Sequence, residues 1–372
     1  MAASDDFLTE ARRAGLYDPE RDGSTGRAEL LQWLRDEHGV TLDEMVEAAE
    51  RLGLEAIAGD RRIAPGPWLS LEEASARSGM SAERLEDLTI AFGLEPVHDA
   101  PDGGVGFRQS EIDAFVLFDG LSDMFSLEEA FALVRVMGSS LSRIAEAAVS
   151  LFLLDVEEPH IAAGRREDEL SRKSHEAVGL LDEFPAILDA FLRRHVLQTV
   201  YRTRATMTDP NQRHQHRYAV AFVDLVGFTA RSADMAPQEL SRFLRDFEER
   251  SYRVAANNGA RVVKLIGDEV MIVAVDPSSL CRAASGLVES FRTDGVIPRA
   301  GAAFGDVLLR GGDYFGSVVN LASRLVDEAV PGELLVSMEL GSAATDCAFD
   351  PAGRRMVKGF ADPVEVRSFV AS

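Results

Sequence analysis

The chain is short of basic charge, of cysteine and of long apolar runs, and each shortage excludes a class of protein. Against 62 Asp and Glu stand 39 Lys and Arg, a formal net charge of −23 over 372 residues. The deficit is uneven: residues 1–200 hold 40 acidic and 19 basic side chains, the remaining 172 hold 22 and 20. An N-terminal half at −21 repels polyanions, which argues against nucleic acid or an anionic membrane surface as its partner. The C-terminal half is nearly neutral and can hold a small anionic ligand. Cys281 and Cys347 lie far apart, without metal-type spacing or a disulfide framework, as expected of two thiols in a reducing cytosol. The start, "MAASDDFLTEARRAG", lacks the basic-then-apolar layout of a signal peptide. The longest apolar run, around Ala147 to Val156, is broken by Glu146 and Asp155 and is too short to span a bilayer. The expectation is a soluble, cytoplasmic protein with no transmembrane segment.

What is present is enough apolar side chain, 46% of the residues, to bury two cores. Residues 1–200 read as helices throughout. "GRAELLQWLRDEHG" and "TLDEMVEAAERLGL" carry apolar side chains at three- and four-residue intervals, and the second opens on a capping box at Thr41 and Glu44. Two longer helical runs follow, the later one interrupted near Pro185. Leu69–Leu94 resembles the two short helices that open a MerR-type winged helix, with "DGGVGF" at Asp102–Phe107 as the tight turn of a small hairpin. Its would-be recognition helix sets Glu83, Glu86 and Asp87 against Arg84, the wrong sign for a phosphate backbone, so a helical regulatory module is the better reading. Thr199–Arg217 turns polar and basic, which divides the chain into a helical domain, 1–200, a linker, 201–217, and a second domain, 218–372.

From Tyr218 strands and helices alternate. "YAVAFVDLV" is a buried strand, and the next helix has the stripe Leu240, Phe243, Leu244, Phe247 and Val254. "ARVVKLI" and "VMIVAV" form a hairpin joined at "GDE". A helix over 277–292, the strand "RAGAAFGDVLL", a helix over 317–328 and two late strands complete a β-α-β-β-α-β order, which is ferredoxin-like.

Two acids stand out. Asp224 ends an apolar strand, and Asp268 sits at the hairpin tip. The split topology pairs the first strand with the hairpin, so the two carboxylates lie side by side. They repel unless one is protonated or a cation bridges them, and a hard dication uses one or two carboxylates plus water and substrate phosphate. Asp268 after Gly267 also reads as ordinary turn chemistry. "GFT", with Phe228 and Thr229, opens a helix whose free backbone N–H groups suit phosphate. Asn320 and Arg324 are four apart on one helix face, either as surface polar residues or as groups aimed at a phosphoryl centre.

"FVDLVGFT", "KLIGDEVM" and "DYFGSVVNLASR", in this order, resemble the catalytic domain of class III adenylate cyclases, over Tyr218 to Val370 and including "MVKGFADPVEV". The N-terminal half resembles the helical regulatory domain coupled to such cyclases in actinobacteria. The resemblance implies an α+β, ferredoxin-like catalytic domain behind an all-α regulatory domain. It implies that Asp224 and Asp268, with the Leu225 carbonyl, hold two Mg²⁺ or Mn²⁺ ions. Lys264 and Asp313 would read the base: an ammonium and a carboxylate match adenine N1 and N6, and mismatch guanine, which favours ATP over GTP. Asn320 would orient the ribose, Arg324 would stabilise the α-phosphate, and Lys358 would contact the triphosphate. Metal ligands from one chain would face base-reading residues from another, making a homodimer with two shared sites. Asp306 departs from the pattern, standing where some members carry a phosphate-directed Arg.

The implied activity is conversion of ATP to 3′,5′-cyclic AMP and pyrophosphate, modulated by the N-terminal domain. The alternative is a catalytically weak nucleotide sensor controlling a DNA-binding-like module. His195, His214 and His216, in or beside the linker, read either as solvated histidines or as a pH sensor. A small effector of the helical domain is equally open.

Overall fold

The computed structural model describes residues 2–51, 53–97, 104–120, 124–164, 166–206, 215–292 and 296–371. The chain forms two compact units, Met1–Leu192 and Arg193–Ser372.

The first unit is helical and has two small cores. Helices α1 (Ala2–Arg13), α2 (Ser24–His38), α3 (Leu42–Arg51) and α4 (Ile57–Ile63) enclose Leu30, Leu31, Trp33, Leu34 and Met45. Helices α5 (Leu71–Ser78), α6 (Ala82–Ala91), α7 (Gln109–Asp119) and the first part of α8 (Leu127–Phe152) enclose Leu85, Leu88, Phe115, Phe118 and Val134. Helices α9 (Glu158–Ala162), α10 (Glu167–Gly179) and α11 (Phe184–Thr206) follow. The Thr41–Glu44 capping box forms: the Glu44 carboxylate accepts from Thr41 N–H at 2.8 Å, and Thr41 Oγ1 accepts from Glu44 N–H at 3.4 Å. Pro185 stands in the first turn of α11, where its missing N–H costs nothing.

Both short helices of the winged-helix likeness form. Phe107 pairs with Leu69 as an isolated bridge, whereas Asp102 and Gly103 of the expected turn lie outside the described residues. On α6, Glu83, Glu86 and Asp87 are exposed, and Arg84 is occupied by Asp119 at 2.7 Å. The helical stretch Leu127–Ala162 is long and apolar enough to cross a membrane by length and composition. Its first turns, however, are built into the second core through Ala130, Val134 and Gly138.

The second unit is an eight-stranded sheet. Its strands are β1 (Gln215–Val226), β2 (Arg261–Ile266), β3 (Glu269–Ala274), β4 (Ile297–Arg310), β5 (Asp313–Phe315), β6 (Leu334–Ser337), β7 (Ala348–Arg355) and β8 (Val364–Val370). The order is β2-β3-β1-β4-β6-β8-β7, with β5 paired to β4; the first four form the expected ferredoxin-like sheet. The helices are α12 (Phe228–Ser232), α13 (Pro237–Asn257), α14 (Pro277–Phe291), α15 (Ser317–Glu328) and α16 (Met338–Ala343).

β1 is apolar on both sides because both sides are covered. Ala219, Ala221, Val223 and Leu225 face the cluster containing α13 and α14, while Tyr218, Val220 and Phe222 face the α15 cluster. By the same alternation Asp224 belongs to the α15 face. Gly301 on β4 lets α15 approach closely: a Cβ there would sit 2.3 Å from Val326 N and 2.4 Å from the Ala322 carbonyl. β1 also begins earlier than its apolar pattern, because Gln215–Arg217 pair with Leu308–Asp306 of β4. The expected linker, 201–217, is therefore helix up to Thr206 and strand from Gln215, and residues 207–214, with His214, lie outside the described ones. Arg217 stands opposite Asp306 and pairs with it at 3.9 Å, so Asp306 has a cross-strand partner.

Candidate active site

Asp224 and Asp268 are neighbours. The hairpin turn at Gly267–Asp268 lies beside the end of β1, and Leu225 N–H donates to the Asp268 carbonyl at 3.3 Å. Burial, with the Asp224 charge beside it, raises the Asp268 carboxyl above its ordinary value. The sequence expects a divalent cation to meet Asp224. The register puts Glu269 of β3 directly opposite it on one side and Arg299 of β4 on the other. Arg299 Nε donates to Asp224 Oδ2 at 3.1 Å, and the same guanidinium reaches the Asp327 carbonyl at 3.3 Å. Its second partner contact, to the Asp327 carboxylate, spans 3.9 Å, and Asp327 also faces Arg324 at 3.7 Å. The immediate partner of Asp224 is thus a guanidinium.

Glu269 and Arg299 were missed in the sequence. Burial pushes Glu269 up to about 7, helped by Asp224, Asp327 and Asp268 and opposed by Arg299. Asp224, Asp268, Glu269 and Asp327 thus gather beside two guanidinium groups, Arg299 and Arg324, a local anionic excess that a hard dication would relieve. Among the described residues no three metal-type side chains converge on one point, so such an ion would take two carboxylates and complete its shell with water and phosphate oxygens. The donor set fits Mg²⁺ or Mn²⁺.

Lys264 and Asp313 form a direct ion pair, Nζ to Oδ2. A β-bulge arranges it. Val262 opposes Ile272 on the α13/α14 face, but the next register pair is Lys264 with Met271 on the α15 face. The extra residue, Val263, rotates Lys264 out of the core onto the side where β5 lies. Asp313 is fixed in turn, its Oδ1 accepting from Tyr314 N–H at 2.8 Å. The Tyr314 hydroxyl accepts from Arg261 at 2.8 Å, and its ring meets Tyr218 edge-on at 5.1 Å.

Asn320 and Arg324 are exposed on one face of α15, as spaced. Lys358 is exposed in the turn after β7, and no contact among the described residues joins it to the acids. Phe228 opens α12, so its expected contact with phosphate falls to its backbone N–H. Its side chain is buried and stacked on Phe243, centroids 4.9 Å apart, because an aromatic at a strand-to-helix junction fills the core beneath α13. What remains available there is backbone: Gly227 caps α12 with φ 79°, a left-handed conformation that suits glycine. The Thr229 side chain lies outside the described residues. Leu225 is a core side chain whose carbonyl alone can serve as a ligand.

Residues 13–200 match the family described as adenylate cyclase regulatory domain. The chain is 33% identical over 356 residues to an uncharacterized protein of Mycobacterium tuberculosis H37Rv, covering 94% of this chain and 91% of that one. It is 32% identical over 378 residues to a pH-sensitive adenylate cyclase of Mycobacterium tuberculosis CDC 1551, covering 97% and 91%. Among solved structures, the adenylyl cyclase CyaB from P. aeruginosa superposes with a TM-score of 0.38 at 27% identity, over 42% of this chain and 95% of that one. With a regulatory-domain match over the helical half and a full-length relative named as such an enzyme, the chain belongs to the class III adenylate cyclase family.

Proposed function

We propose that the protein converts ATP to 3′,5′-cyclic AMP and pyrophosphate as a homodimer, under the control of its helical domain. The observation that carries this reading is the adjacency of Asp224 and Asp268, bound through Leu225 N–H and facing an excess of negative charge. Asp224 and Asp268, with the Leu225 carbonyl, would hold two divalent cations, which when bound acidify the ribose 3′-hydroxyl and neutralise the triphosphate. Lys264 donates to adenine N1 and Asp313 accepts from N6; guanine offers the opposite polarity. Backbone N–H groups at the start of α12 and the Lys358 ammonium bind phosphate oxygens. Asn320 positions the ribose, and the Arg324 guanidinium balances the charge that grows on the α-phosphate as the 3′-oxygen attacks in line and pyrophosphate leaves.

A second copy of the chain completes the site, the Asp224–Asp268 pair of one protomer facing Lys264, Asp313, Asn320 and Arg324 of its partner. Helix α11 supports dimerisation. Ile187, Leu188, Phe191, Leu192, Val196 and Leu197 are all exposed and point around the whole helix, a pattern found where neighbours cover every side.

Control by pH follows the named relative, and two features of this chain support it. His216, buried in β1, is hydrogen-bonded to Thr206 Oγ1 at 3.1 Å, while His195 is exposed on α11. His38 meets Trp33 edge-on at 4.2 Å and His175 at 4.6 Å, and burial, followed by the neighbouring His175, lowers its basicity. A cleft of about 400 Å³ lined by Tyr17, Arg21, Arg27 and Arg166 offers the helical unit a place for a small effector.

The deciding experiment is cyclic AMP production by the full-length protein with Mn²⁺ and ATP. Product from the wild type and a loss of at least a hundredfold in Asp268→Asn are expected. Equal activity in both would sink the proposal.

A further inference from the structure

The two cysteines, remote in sequence, meet in space. Cys281 lies on α14 and is completely buried in the cluster that α14 forms with β1 and β3. Cys347, in the turn between α16 and β7, packs against the same cluster from its rim and is only partly covered. Its Sγ stands 3.9 Å from the carbonyl oxygen of Ser278, one turn before Cys281 on the same helix. Cys347 thus lies close to Cys281, and burial above all, with Cys347 nearby, raises the Cys281 thiol far above its ordinary value. No role in nucleotide chemistry employs either group: Cys281 packs beneath the face of β1 that carries Val223 and Leu225, opposite the face that carries Asp224.

We propose that Cys281 and Cys347 are a peroxide-sensitive dithiol that closes to an intramolecular disulfide. Exposure divides their roles. Cys347, which solvent reaches, attacks the peroxide: its sulfur bonds to one oxygen, the O–O bond breaks, and the departing hydroxide takes the thiol proton and leaves as water. Cys281 is too deeply buried to meet the oxidant but is adjacent to the resulting sulfenic acid. Its sulfur attacks Cys347 Sγ, the S–O bond breaks, and the hydroxide leaves with the Cys281 proton as a second water. Two thiols and one hydrogen peroxide thus give one disulfide and two waters. The high basicity of the buried thiol makes this second step slow, and excess dithiol reverses the closure by thiol–disulfide exchange. Closure ties α14, the helix that backs the strands of the acidic site, to the turn entering β7.

The test is treatment of the full-length protein with hydrogen peroxide, unfolding in acid, alkylation of remaining thiols and peptide mapping. The expected result is protection of both cysteines, a cross-linked pair of peptides containing Cys281 and Cys347, and recovery of both thiols with dithiothreitol. In Cys347→Ser, Cys281 stays fully alkylatable after the same treatment; in Cys281→Ser, a sulfenic acid trapped by dimedone accumulates at Cys347. The oxidised wild type melts higher than the reduced one by about 5 °C or more, because the cross-link closes a long loop of the unfolded chain. Three outcomes overturn the proposal: both thiols alkylated after oxidation, Cys347 carried to the sulfinic acid with Cys281 free, or a disulfide joining two chains.

Discussion

Arg299 and Asp224 face each other across adjacent strands, 3.1 Å apart and 75 residues distant in sequence, with the guanidinium also held by the end of α15. The pair lies at the place where the acidic excess is greatest. Removing Arg299 leaves a partly buried carboxylate uncompensated. Arg299→Ala is expected to lower stability by about 1–3 kcal/mol without metal. Mn²⁺ should raise the melting temperature of this variant more than that of the wild type. Equal shifts in differential scanning fluorimetry would disprove the compensation.

Glu269 sets a pH dependence whose sign is fixed by its raised value. The native state holds this proton up to about 7, whereas the unfolded chain releases it near the ordinary 4.5. Between those values the folded state binds more protons, so this group's contribution makes stability fall as pH rises. Glu269→Gln should flatten that decline, and its advantage over the wild type should grow from acid to neutral pH. A difference in unfolding free energy that is constant across the window would refute it.

His38 acts in the opposite sense. Burial and the neighbouring His175, with Arg61 and Arg172 close by and Glu37 in opposition, keep the native imidazole less basic than in the unfolded chain. The unfolded state therefore binds the proton first, and stability of the helical unit falls as pH drops through the ordinary histidine range. Trp33, in contact with both rings, is the probe: its emission should change on acidification in the wild type and not in His38→Gln.

Shared sites predict complementation between two dead proteins. Asp268→Asn and Arg324→Ala should each be inactive as homodimers. Mixed after subunit exchange, half of the dimers are hybrids with one intact site of two, so activity should return to about one quarter of wild type. No recovery on mixing would show that the site is built from one chain.

Polarity exchange tests base reading. Lys264→Glu with Asp313→Lys keeps an ion pair but reverses donor and acceptor. The ratio of kcat/KM for ATP over GTP should fall by about a hundredfold or more, as for any site whose hydrogen bonds are turned against their ligand. An unchanged ratio would remove these two residues from base recognition.

The meeting of Asp224 and Asp268 was readable from the order of elements, since a ferredoxin-like sheet puts the first strand beside the hairpin. Their other neighbours were not. Glu269 and Arg299 are assigned only by register across β1, and register between distant strands depends on packing that no local pattern reports. The direction of the Phe228 ring was likewise hidden, because its motif marks a turn without saying which way the ring points. The two cysteines looked unrelated for a similar reason: only the packing of α14 against the turn after α16 unites them. Lys264 is subtler still, because strict alternation along β2 would have placed its ammonium in the core.

That last misfit has a consequence for how such a protein tolerates change. One supernumerary residue, Val263, absorbs the mismatch between the two ends of β2: the tight turn sets Lys264 opposite Met271, while Val262 stays opposite Ile272. A single-codon deletion there would take out the bulge and leave both pairings intact, so the ammonium would keep its side of the sheet beside Asp313. Purine discrimination is thereby insulated from the length of the strand behind it.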